Sequence, residues 1–267
     1  MIDNLYALHG GGQGVAIAAV ALALLCREAL AKVGRLEWIA AVAVGAPMAV
    51  AYVLQAAGMQ QIESSKSAFI TAMHVPLVPI LQLVVMRLVP RKTTWLGAVF
   101  CLAGLVLLAG PDAFVSSWEG GEALTLLSTF AIAVEIVMIS LFAPRVNIAA
   151  VSTLQLACVA VAAWGAMALR REPIPDGLSP LFWQVTVLMA LSVAFLHVLM
   201  NWAQQSISPT RATLIYSSEP VWAGCMGWFA GERLGAVAVI GCVLILLGVL
   251  VSEWKPGAGS RGPLAEC

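Results

Sequence analysis

The chain reads as an all-α polytopic membrane protein made of two inverted repeats of helices, and three observations lead there. Hydrophobic residues make up 61% of its 267 positions and charged residues only 10%, with a mean hydropathy of +0.94. A soluble domain carries about 25% charged residues, so lipid must solvate most of this surface. The apolar residues gather into runs of membrane-spanning length, and the second half of the chain matches the first at a fixed offset.

Nine runs follow one another. A crossing takes about 20 residues at about 1.5 Å each. Eight stretches satisfy this: Trp38–Gly58, Ser67–Val89, Thr94–Gly110, Gly121–Ala143, Ala149–Leu169, Leu181–Ala203, Thr210–Ala230 and Leu234–Ser252. The first run, Gly12–Cys26, is marginal. Its core, Val15–Leu25, has the length of a signal peptide, but Met1–Gly14 holds no Lys or Arg, so a short transmembrane segment is the better reading. All nine are expected as helices, because lipid offers backbone groups no partner, and the sequence lacks the two-residue alternation of a barrel.

Basic residues orient the spans. With the N-terminus outside, Arg27, Lys32, Arg35, Arg87, Arg91, Lys92, Arg145, Arg211, Lys255 and Arg261 face inward, and only Lys66, Arg170, Arg171 and Arg233 face outward. That is the positive-inside pattern. The acidic loop Pro111–Glu122 is expected outside, and the tail 253–267 inside and too Gly/Pro-rich to fold. Trp38, Trp95, Trp118, Trp183 and Trp254 stand at segment ends, as an interfacial aromatic belt would place them.

Zero net charge and a pI near 6.8 argue against nucleic acid as a partner. The six cysteines contain no C-x-x-C and lie mostly in apolar runs. They read as reduced packing residues, with no disulfide framework, metal site or cofactor implied.

Sliding the chain on itself by 144 residues aligns Gln60-Gln61 with Gln204-Gln205, Ser64 with Ser208, Ala68 with Ala212 and Pro76 with Pro220. Gly97, Val99, Leu102 and Gly104 then fall on Gly241, Val243, Leu246 and Gly248. The matched spans are an odd number apart, so the halves run oppositely through the bilayer. This is the architecture of secondary transporters, with substrate held near the midplane where the repeats meet. The expected units are residues 1–110 and 121–252, the first incomplete.

The stretch Ser217-Ser218-Glu219-Pro220-Val221-Trp222-Ala223-Gly224 through Gly231-Glu232-Arg233-Leu234, followed by Gly241 and Gly248, resembles the EamA-type half of the drug/metabolite transporter superfamily. Ala68 through Gly104 is similar but weaker, with His74-Val75-Pro76 in place of Glu-Pro. The resemblance covers residues 13–252. It implies ten helices in two inverted five-helix halves around a central cavity, and the export or facilitation of small metabolites. Against that pattern the nine spans lack the leading helix, through a start upstream of Met1 or a shortened variant.

Away from the span ends, four residues, His74, Glu135, His197 and Glu219, are His or acidic; a charge there costs about 2.5–3.5 kcal/mol to insert, so each is a functional candidate. Glu219, beside Pro220, either meets a cation or coupling proton or merely steadies the proline break. Glu135, flanked by Val134 and Ile136 with no base near in sequence, is a proton carrier or a buried hydrogen-bond donor. His74 and His197 suit proton handling or an interhelical hydrogen bond. Gln155 and Asn201 are the polar residues expected in the cavity, and Trp222 either walls it or faces lipid. Pro76 and Pro220 are hinges or static kinks. The Gly97–Cys101–Gly104 strip and Gly241 with Gly248 read as close-packing sites.

The function expected is therefore secondary transport, by alternating access, of a small metabolite or drug-like solute. Export and proton coupling are expected refinements, and an inactive partial transporter is the alternative. A membrane-embedded enzyme lacks its constellation, since neither G-x-S-x-G nor H-E-x-x-H occurs. The partners expected are a small solute, the bilayer of the inner membrane and, as an open alternative, a second copy of the chain.

Overall fold

The computed structural model describes residues 2–62, 64–109, 120–170, 179–229 and 235–254. Most of the acidic loop, Trp118, Arg171, the Gly231–Leu234 motif and the tail beyond Trp254 lie outside them. Among the described residues there are only helices, turns and short connections.

The first run is longer than its apolar core. Helix α1 spans Ile2–Leu25, because extending a helix costs far less than nucleating one and no proline stands in its way. A single turn, α2 (Arg27–Leu30), leads to α3 (Arg35–Gly58). The α3 entrance is fixed by Gly34, whose N–H donates to Glu37 Oε2 at 3.0 Å.

Two expected spans are broken helices. Ser67–Val89 becomes α4 (Ser64–Thr71), α5 (His74–Leu81) and a π-turn, Gln82–Met86. Arg87 then takes the left-handed conformation at φ 55° and ends the segment, leaving Val89 outside it. In the second half, α10 (Pro209–Tyr216) and α11 (Glu219–Phe229) divide the same way. Each break falls just before Pro76 or Pro220, so the proline sits in a first turn where its missing N–H leaves no bond unmade. Tightened i to i−3 bonds carry the chain across: Met73 N–H to Ile70 O and Ser218 N–H to Ile215 O, both 3.0 Å.

The remaining helices are α6 (Lys92–Ala109), α7 (Gly120–Phe142), α8 (Ile148–Arg170), α9 (Pro180–Ala203) and α12 (Ala236–Glu253). By length and composition six segments suffice to cross a membrane, from Arg35–Gly58 to Ala236–Glu253, with Gly12–Leu25 and Lys92–Leu108 as shorter apolar helices. The broken pair α10–α11 supplies the ninth expected segment.

The most extensive helix contact joins α6 and α12, and it displays the inversion directly. A Cβ on Gly97 would stand 2.5 Å from Gly248 O, and one on Gly104 would stand 2.5 Å from Gly241 O. Gly97 and Gly104 are the repeat equivalents of Gly241 and Gly248, so the pairs are exchanged and the matched helices run antiparallel. Midway, the Cys101 thiol lies 3.6 Å from Ile245 O, its own equivalent 144 residues on. A pseudo-two-fold axis passes here. Lipid tails are as apolar as leucine, so this seam is held by the close approach that glycine permits rather than by hydrophobic burial.

On one side of the seam α3 packs against α7 and α8, and α1 packs against α8 and α9. Small residues again allow it: Gly45 of α3 meets Cys158 and Gln155 of α8, and Gly58 meets Thr125 and Gly121 of α7. Lys66 at the start of α4 pairs with Glu122 in the first turn of α7, both buried.

Candidate functional site

The polar residues of the spans are not scattered. They converge where α7, α8 and α9 meet beside α3. Gln155, fully buried on α8, is the centre: its Nε2 donates to Glu135 Oε1 of α7 at 2.8 Å and lies 3.1 Å from Met48 Sδ of α3. Its Oε1 accepts from Asn201 Nδ2 of α9 at 2.9 Å. Asn201 Nδ2 also reaches Ser152 Oγ at 3.0 Å and the carbonyl of His197 at 2.9 Å.

A carboxyl, two amides and a hydroxyl thus form one chain of hydrogen bonds across three helices. Among the described residues Glu135 forms no ion pair, and it is 7% exposed. Buried polar groups of this kind must be satisfied by one another or by a guest.

A second chain runs close by. Ser140 Oγ of α7 donates to Gln204 Oε1 at 2.6 Å, and Gln204 Nε2 donates to Tyr216 Oη at 3.1 Å. Tyr216 ends α10 at its break, and its ring packs against the Ala133, Ile136 and Val137 cluster around Glu135. Tyr216 thus links the break to the carboxyl-bearing helix by direct contact.

The structure brings together Glu135, Gln155 and Asn201 of the expected site, with His197 contributing its backbone. The His197 ring turns to its own helix, Nδ1 lying 2.8 Å from Val193 O. His74 does likewise, 2.7 Å from Thr71 O across the break between α4 and α5. Each contact suits Nδ1–H as donor. Glu219 opens α11 and is exposed, and Trp222 is 66% exposed on the same helix. Neither joins the buried network. Pro76 and Pro220 mark the two breaks.

Sequence reasoning did not single out Ser140, Ser152, Gln204 or Tyr216. Gln204 carried a signal, since it is half of the repeated Gln-Gln pair. The hydroxyls carried none, because Ser and Tyr inside an apolar run are most often packing residues. Among the described residues no group of three or more His, Cys, Asp or Glu is arranged to hold a metal ion.

Comparison with known proteins adds three findings. The model of the EamA-like transporter family matches residues 11–110 and 120–254, once for each half. No curated protein matches the chain. Solved structures do, among them one titled "Crystal structure of protein", with a TM-score of 0.73 and 19% identity over 94% of this chain and 87% of that one. At that identity the likeness speaks for the fold.

Proposed function

The chain belongs to the EamA-like transporter family, and we propose that it exports a small polar or amphipathic metabolite across the inner membrane by alternating access, with Glu135 carrying the coupling proton. The observation that carries this is the Glu135–Gln155–Asn201 chain, a buried carboxyl that accepts from the amide of a second helix, which in turn accepts from the amide of a third. A solute that replaces the Gln155 contact would free the carboxyl to take or release a proton. Binding and proton movement would then be linked without any second charged group.

The two helix breaks support alternating access, since each lies in the long segment its half contributes beside the seam. Pro76 and Pro220 act as the hinges. Glu219, in the second break, is proposed as a residue of the solute path rather than of the buried network.

The test is flux in membrane vesicles carrying Glu135→Gln. The substitution keeps the shape and removes the titrating group. We expect it to abolish proton-driven flux at unchanged protein level. Full flux with Glu135→Gln would overturn the role of this carboxyl, and full flux with Glu219→Gln would remove that residue from the path.

A second reading has its own observation. Helix α9 is exposed along most of its length, including Leu188, Phe195 and Trp202 at 67%, 70% and 62%. This favours a partial transporter whose α9 face is covered only by a further helix. Vesicles with well-folded protein and no flux of any solute would support it.

A further inference from the structure

Helix α10 begins at Pro209 with Ser208 at its N-cap, yet the Ser208 side chain makes no capping bond. The cap comes instead from the other half of the molecule. Gln82 Oε1, 2% exposed at the start of the π-turn, accepts from Thr210 N–H at 3.2 Å and from Thr210 Oγ1 at 2.7 Å. Its Nε2 donates to Leu88 O at 3.4 Å, tying the turn behind it. First-turn N–H groups need a partner, and here a glutamine 128 residues earlier in the chain supplies it.

The same broken segment is tied at its other end, where Lys66 of α4 pairs with Glu122 in the first turn of α7. Each end of α4–α5 and its π-turn is therefore fastened to the first turn of a helix from the second half. One fastening is a buried ion pair and the other is neutral.

We propose that these are the two gates of the transporter. Gln82–Thr210 closes the basic face, which carries Arg91 and Arg211, and Lys66–Glu122 closes the opposite face. Breaking a buried ion pair strands charges, whereas breaking neutral hydrogen bonds at a face open to water exchanges them for water. The neutral gate already borders a surface pocket lined by Gln82, Arg91, Thr94 and Thr210, so water is at hand; the Arg211–Glu253 ion pair on the same pocket joins two helices of the second half and does not bridge the gate. The resting protein consequently opens first at the basic face. This rests on the alternating-access reading, but its test needs no substrate and so fails or succeeds separately from it.

The test places a reporter at Thr213→Cys, fully buried one turn inside Thr210, in a background whose native cysteines are replaced. A membrane-impermeant maleimide is applied to inside-out and right-side-out vesicles. Gln82→Leu should raise labelling from the basic face about tenfold, the effect of losing two neutral hydrogen bonds, with no rise from the other face. Thr210→Val keeps the backbone bond and should give a smaller rise on the same face; it carries the test if Gln82→Leu does not accumulate. Lys66→Met with Glu122→Gln should raise labelling from the opposite face only. Unchanged labelling, or an equal rise from both faces in either gate variant, would overturn the proposal.

Discussion

The two halves of this protein agree at the seam and part company at the flank. At the seam Gly97, Cys101 and Gly104 meet Ile245 and the repeat-equivalent glycines with the symmetry kept to the residue. At the flank α7 covers α3 and α4–α5, and no helix among the described residues covers α9 and α10–α11 in the same way.

The 144-residue offset turns that into a residue-by-residue contrast. Val44, Ala51 and Val78 are 1%, 4% and 0% exposed, and Gly58 is buried. Their equivalents Leu188, Phe195, Trp222 and Trp202 are 67%, 70%, 66% and 62% exposed. Where a helix packs, the chain carries small residues that let backbones approach; where none packs, it carries large apolar ones. An internal repeat thus fixes a shared backbone while each copy's side chains adapt to their own neighbours.

The largest test of this contrast is an exchange. A Cβ on Gly58 would collide with Thr125 Oγ1 and stand 2.9 Å from Gly121 O, so Gly58→Trp is expected to cost about 3 kcal/mol or more and to leave little folded protein. Trp202→Gly, its mirror, should leave α9 in place and the protein monodisperse. Size-exclusion profiles in mild detergent check both.

Next come the ion pairs. Lys66–Glu122 is enclosed, with side chains 9% and 3% exposed, while Arg211–Glu253 is open, at 25% and 37%. Lys66→Met should destabilise by about 3–5 kcal/mol, and Arg211→Met by under about 1 kcal/mol, read from thermal melting in the same detergent.

Smaller still is the packing contrast between Ile139, 1% exposed, and Phe195, 70% exposed. Ile139→Ala should cost about 2–5 kcal/mol, while Phe195→Ala stays within about 0.5 kcal/mol. The smallest effect is expected for Trp222→Ala: no change in melting, because the ring packs on lipid rather than on the core. A clear fall would instead place Trp222 against a protein neighbour and break the contrast at that position.

Much of this was legible in the sequence. The spans, the repeat and its inversion followed from apolar run lengths and from paired Pro, Gly and Gln residues. The breaks were signalled by Pro76 and Pro220, although their position just before each proline depends on which turn absorbs the missing N–H. The longer start of α1 was hidden because polar residues at a helix end look like a loop.

Of the site, Glu135, Gln155 and Asn201 were visible as polar residues within spans. Their convergence was not, since it depends on how three helices are rotated against one another. The capping of Thr210 by Gln82 could not be read from either local sequence, since the two lie 128 residues apart.

In the function proposed, the carboxyl of Glu135 carries the coupling proton. The most direct measurement compares solutes inside and outside cells that lack this protein, overproduce it, or overproduce Glu135→Gln at equal membrane level. At least one solute should be depleted inside and enriched outside only when Glu135 is present. A solute moved equally well by the glutamine variant would contradict it.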